Sequence, residues 1–186
     1  KRWQNGYKAI ARANILLEKL EDANSVGISE EKKQLYRAQT LFVRATQYAI
    51  LTSLFGDVVY IDKEISIDEA FEMGRTDREE VMENVYKDLD EAAHYLPETY
   101  GTQREFATKG AAYAIKARYA LYNEDWELAA QAAKKCMDLQ IYELHPDFEE
   151  LFIASTHHAK ENILSWPRSV ELKNYLDVGA AMSYCP

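Results

Sequence analysis

The chain has 186 residues, and 22 basic against 31 acidic side chains leave a formal charge of −9 at neutral pH. That charge repels phosphate backbones and anionic lipid, and no basic stripe offsets it, so nucleic acid is excluded as a partner. Scarce Gly and Pro (7 and 4) exclude collagen, flexible linker and disordered tail, while 47% apolar residues are ample for a core and 12% aromatic residues, 13 of them Tyr, form an excess to be explained.

Amphipathic helix is the dominant pattern. Trp3, Tyr7, Ile10, Asn14 and Leu17 follow a four-three spacing that predicts a first helix ending near Asn24. Ser29 caps a second helix, striped by Ala38, Leu41, Phe42, Ala45, Tyr48, Ala49 and Thr52 and stopped at Gly56. Residues 57–75 read as a long loop with a short extended piece at Val58-Val59-Tyr60-Ile61. Thr76-Asp77-Arg78-Glu79 has the form of a capping box, opening a third helix that buries Val81, Val85, Leu89, Ala92 and Leu96 and ends at Pro97. Thr108 opens a fourth helix with Ala112, Ile115, Tyr119 and Tyr122 on one side. Asn123-Glu124-Asp125 then turns the chain into a fifth, striped by Trp126, Ala129, Ala130, Ala133 and Met137. A short helix follows around Phe148–Phe152, and the tail from Ser155 to Pro186 is loop-like, with a strand at Ile163-Leu164-Ser165-Trp166.

These elements predict an all-α fold of tetratricopeptide-like helical hairpins, about five to six helices with long irregular loops. Helices one and two form one hairpin, three and four a second, and the fifth opens a third. Residues 1–154 are the helical scaffold and 155–186 the start of an irregular, loop-rich segment. No apolar run approaches the roughly 18 residues of a membrane-spanning helix. The chain starts Lys1-Arg2-Trp3 without an initiator Met and stops at Tyr184-Cys185-Pro186. Both ends read as cut, which places any export signal or lipid anchor outside these residues.

Few residues suggest reaction chemistry. Asn14 on an apolar face and Arg44 at the rim of one are expected to hydrogen-bond backbone where loops cross the helices. Glu79/Glu80, Asp88/Asp90 and Glu149/Glu150 read as solvated faces, because a glycosidase needs two carboxylates facing each other across a cleft. His145, Asp147 and His157-His158 match no zinc signature, so no metal is expected. Cys136 reads as an inert buried thiol, and its separation from Cys185 fits no redox or metal motif. No Gly-rich phosphate loop, nucleophile elbow or Cys/His arrangement is present.

Six segments in order carry a resemblance. They are Tyr7-x-x-Ile10-x-x-Ala13-Asn14-x-Leu16-Leu17; Arg37-Ala38-x-x-Leu41-x-x-Arg44-Ala45-x-x-Tyr48 running into Leu54-Phe55-Gly56-Asp57-Val58; and Arg75-Thr76 leading to Val85-Tyr86-x-Asp88-Leu89-x-x-Ala92 and Leu96-Pro97. Then come Thr108-Lys109-Gly110-Ala111-Ala112 through Ala117-Arg118 to Leu121-Tyr122, Tyr142-x-Leu144-x-Pro146-x-Phe148-x-x-Leu151-Phe152, and Glu161-Asn162-Ile163-Leu164. The sequence resembles the SusD/RagB-like glycan-binding lipoproteins of Bacteroidetes outer membranes, departing at Val59, where that family often has Pro.

The resemblance implies an internal fragment of a longer, non-enzymatic surface lipoprotein with no cofactor. Such a protein captures oligosaccharides and passes them to a TonB-dependent, SusC-like outer-membrane transporter. The helical repeats would face the transporter and the loops would hold sugar. Sugar recognition needs flat apolar faces and planar polar groups. Tyr7, Phe42, Tyr48, Tyr119, Tyr122 and Trp126 fall on helical stripes, and Trp3 leads one, so these are assigned to packing. Trp166, Tyr175 and Tyr184, with Arg168 and Asn174 and beside Asp177, lie in the irregular tail and are the glycan-binding candidates. The fragment alone is expected to bind glycan weakly or not at all. The alternative is a helical-repeat protein–protein adapter whose concave face binds a peptide.

Overall fold

A computed structural model describes residues 1–22, 27–153 and 159–165. The first stripe forms α1, Arg2–Glu21, which buries Ile10, Ala13, Asn14, Leu17 and Leu20. Helix α2, Glu30–Phe55, starts on the Ser29 hydroxyl, which accepts from the Lys32 N–H, with Glu30 and Glu31 in the first turn where the helix dipole favours anions. It stops at Gly56, whose φ of 69° suits glycine and whose N–H bonds the Thr52 carbonyl.

The next boundary differs from the expectation. Thr76 is drawn into an antiparallel bridge with Val58, its N–H donating to the Val58 carbonyl at 2.8 Å and its carbonyl accepting from the Val58 N–H at 3.3 Å. The Thr76 hydroxyl accepts from the Tyr60 N–H rather than from the first turn of the helix. Asp77 caps α4, Arg78–Tyr95, instead, accepting from the Glu79 N–H at 2.8 Å. The bridge bears out the extended piece at Val58. A true capping box lies ten residues earlier in the loop. There the Ser66 hydroxyl accepts from the Glu69 N–H and the Glu69 carboxylate accepts from the Ser66 N–H, starting the short helix α3, Ile67–Glu72, which the sequence pattern does not show.

Thr108 caps α5, Lys109–Tyr122, by accepting from the Ala111 N–H at 3.1 Å. The turn into α6, Trp126–Asp138, is tied to α4 by Asp125, which accepts from the Tyr86 hydroxyl at 2.7 Å and the Asn123 amide at 3.0 Å. A 3₁₀ turn, Glu150–Phe152, stands where a short helix was expected. Helix α1 packs on α2, α2 on α4, α4 on α5 and α5 on α6, with a lesser contact from α2 to α5. Neighbour-to-neighbour packing of this kind is the solenoid arrangement. Its core runs through Ile10, Leu41, Tyr48, Leu51, Val81, Val85 and Leu89, all buried.

Two aromatic assignments are corrected. Tyr122 and Trp126 are 57% and 62% exposed, so they are not core. The face of α6 against α5 is made by Ala129, Ala132 and Cys136, rotated from the expected stripe, which leaves Trp126 and Met137 on the outside. Cys136 is a free, buried thiol that donates to the Gly110 carbonyl, and burial pushes its pKa up, as an inert thiol requires. No strand forms over 163–165. Ile163 and Leu164 instead pack on the core as coil, and the Ser165 N–H bonds the Arg104 carbonyl at 2.9 Å.

Candidate ligand groove

The loop after α2 is fixed by polar side chains that reach it from the helices. The Asn14 amide donates to the carbonyls of Ile61 and Lys63 at 2.9 and 3.1 Å. Arg44 donates to the Asn14 side-chain oxygen, to the Asp62 carbonyl, and through Nε and Nη2 to both carboxylate oxygens of Asp88 at 2.8 and 2.9 Å. The Tyr48 hydroxyl donates to the Ile61 carbonyl and accepts from its N–H, and the Tyr7 hydroxyl donates to the Val59 carbonyl. The expectation for Asn14 and Arg44 holds, since both meet backbone where the loop crosses. The expectation for Asp88 does not. It is buried rather than solvated, because its position on α4 faces α2, where Arg44 requires an anion. Its neighbour Asp90 pairs with the buried Lys116 at 2.6 Å.

This cluster sets an alkaline limit on the fold. Burial pushes Tyr7 and Tyr60 from the ordinary value of 10.0 up to about 12 and raises Tyr48 as well. Below pH 10 the phenols are protonated in the folded and unfolded chains alike, and their stabilising contribution is complete. As the pH rises further the unfolded chain ionises first, so the contribution is lost through the interval up to the folded pKa. Thermal melts should therefore hold level to about pH 10 and fall steeply toward pH 12. A melting temperature unchanged across that interval would show that these rings are not held protonated by burial.

Helix α2 also carries Gln39, Val43 and Gln47 four residues apart, on one side of its apolar stripe. With Phe42 behind them they form one wall of a groove of about 360 Å³. The facing wall is Glu105-Phe106-Ala107, just before α5, with Leu164 at its edge. Phe106 is 42% exposed, and its ring leans on Tyr100 at a centroid distance of 5.2 Å. The Tyr100 hydroxyl accepts from the Gln39 amide at 3.0 Å, so ring and amide are held in fixed relation. The groove thus offers an apolar ring edge and face, two planar amides and one carboxylate. That mixture suits a ligand with both C–H surface and hydroxyls.

Trp166, Arg168, Asn174, Tyr175 and Tyr184, the residues selected from sequence, all lie outside the described residues, as do Asp177, His157 and His158. The chain nevertheless reaches the groove at Leu164, two residues before Trp166. His145 and Asp147 build a local turn. The His145 ring lies 2.6 Å from the Asp147 carbonyl, and the Asp147 carboxylate accepts from the Glu149 and Glu150 N–H groups. Among the described residues no three metal-ligating side chains converge. The sequence reading missed Phe106, Tyr100, Gln39 and Gln47. Only the eight-residue spacing of the two glutamines along α2 could have pointed to them.

The sequence profile of a SusD-like family, described as starch-binding associating with outer membrane, matches residues 1–121. A SusD-like protein of Formosa agariphila is 32% identical over 157 residues, which cover 82% of this chain and 30% of that protein. A SusD-like carbohydrate binding protein of Bacteroides fragilis superposes with a TM-score of 0.78 at 29% identity, over 88% of this chain and 32% of that one. A laminarin binding SusD-like protein superposes with a TM-score of 0.73 at 27% identity, over 81% of this chain and 33% of that one. The chain spans about a third of the length of the curated relatives it matches.

Proposed function

Because the chain belongs to the SusD-like family, we propose that it is the helical scaffold of a longer surface protein that captures oligosaccharides and passes them to a TonB-dependent transporter. The mechanism is binding and release without bond cleavage: rings stack on sugar, amides and carboxylates meet hydroxyls, and a helical face docks on the transporter. The protein sits at the cell surface on a lipid anchor supplied outside these residues. Trp166, Tyr175 and Tyr184, with Arg168 and Asn174, extend the sugar site beyond the described part. The observation that carries the reading is the match of residues 1–121 to a family described as starch-binding associating with outer membrane.

Affinity electrophoresis of the full-length protein in gels containing laminarin or soluble starch tests capture, and release of reducing ends from the same polymers tests for hydrolysis. Retardation without reducing-end release is expected; hydrolysis of a retarding polymer would replace the reading with a glycosidase. Co-purification with a SusC-like transporter tests the hand-over, and failure of the two to associate in detergent would remove that step.

A further inference from the structure

We infer that the groove between α2 and residues 100–107 is a subsite for uncharged oligosaccharide, with Phe106 as the stacking platform, Gln39 and Gln47 reading hydroxyls, and Glu105 turning anionic glycans away. This inference rests on the glycan-binding reading and adds to it a place on this chain and a class of ligand.

The geometry supplies each part. Phe106 is half exposed, yet Tyr100 braces it from behind, so a sugar ring meets a surface that loses little freedom on binding. Gln39 gives one N–H to the Tyr100 hydroxyl, which orients its amide and leaves its carbonyl oxygen and second N–H for a ligand. Gln47 places a second planar donor–acceptor pair two helical turns along α2, and vicinal hydroxyls, each donor and acceptor at once, match such groups.

The charge pattern of the described lining selects among ligands. Among the described residues, Glu105 is the one ionisable group lining the groove. A carboxylate there accepts from neutral hydroxyls, but it repels uronate or sulfate groups, and the net charge of −9 adds to that repulsion. The adjoining groove between α1 and α2 shares Gln39 and Val43 but carries Arg12 and no aromatic ring, so it lacks the platform. A volume of about 360 Å³ lies at the small end of the roughly 300–1,000 Å³ of ligand sites, which suits a short stretch of a longer glycan.

The test is calorimetry on the full-length protein with laminarin and soluble starch as neutral probes, and with polygalacturonate and alginate as anionic ones. The protein should prefer a neutral probe. Phe106→Ala should weaken that binding about tenfold, as loss of one stacked ring implies. Glu105→Gln should raise the anionic-to-neutral affinity ratio at least about threefold by removing the like charge. If Phe106→Ala does not fold, Gln47→Ala replaces it and should weaken neutral binding severalfold. Wild-type affinity in both variants, or a fall in melting temperature with unchanged affinity, would overturn the subsite while leaving glycan capture intact. The latter result would mean that the protein's own chain fills the groove. Preference for an anionic probe would overturn the ligand class alone. Binding to none of the four would remove the inference together with the proposed function.

Discussion

An Asp88→Ala variant is expected to lose about 3–5 kcal/mol of unfolding free energy, the cost of stranding one member of a buried ion pair. Arg44 would keep its charge inside α2 with side-chain exposure of only 9%, bonded to the Asn14 amide oxygen and the Asp62 carbonyl but without an anion. Single domains hold about 5–15 kcal/mol in total, so this loss removes a large share. Urea denaturation should show a lower midpoint at an unchanged slope. Replacing both partners, Arg44→Met with Asp88→Leu, should recover part of the loss, because it removes the stranded charge. Recovery would stay incomplete, since Asn14 and Asp62 lose a donor and the loop after α2 loses an anchor. A single-variant cost below about 1 kcal/mol would show that water reaches the pair and screens it.

The second large effect is steric. A Cβ on Gly110, in the first turn of α5, would lie 2.5 and 2.7 Å from Cε2 and Cζ of Tyr142, and closer still to its hydroxyl. The Tyr142 ring cannot bend aside as a flexible chain end would, and its hydroxyl lies 3.3 Å from that of Thr108, the α5 cap. Gly110→Ala should therefore cost about 1–3 kcal/mol through overpacking. A chain of this size should melt roughly 2–4 °C lower for each kcal/mol. Adding Tyr142→Ala should remove most of the penalty of Gly110→Ala, a non-additivity expected of residues in contact. Equal costs for Gly110→Ala with and without the tyrosine would exclude the clash as the cause.

The long helices were legible because their apolar spacing reports burial directly: α1, α2, α4 and α5 lie where their stripes place them. Helix α3 buries no residue and so has no stripe; its mark is Ser66-x-x-Glu69, which competes with the similar Thr76-x-x-Glu79. What separates the two is the bridge from Val58 to Thr76, a tertiary fact. Asp88 shows the same limit. It sits beside Leu89 at the edge of a legible stripe, but the arginine that permits its burial is 44 residues away on another helix. In α6, several alanines in succession leave the direction of the buried face poorly specified, so Trp126 was assigned inward and stands outward. Phe106 falls in a stretch with no periodicity, where its neighbours come from α2 and from Leu164. The family, by contrast, was readable from ordered local motifs, because each records a packing or turn requirement within a few residues of chain.

The bridge between Val58 and Thr76 isolates what lies between them. Its two ends are clasped, and the first part of the excursion is pinned to Asn14, Arg44 and Tyr48, whereas α3 and Gly74 are exposed among the described residues, with nothing there within 4 Å of a side chain added at Gly74. Lengthening a loop whose ends are already fixed costs only about 0.6 kcal/mol for each doubling. The tip of the excursion is thus a grafting port on this helical scaffold, where an affinity tag or fluorescent module can be carried while the helices beneath keep their register.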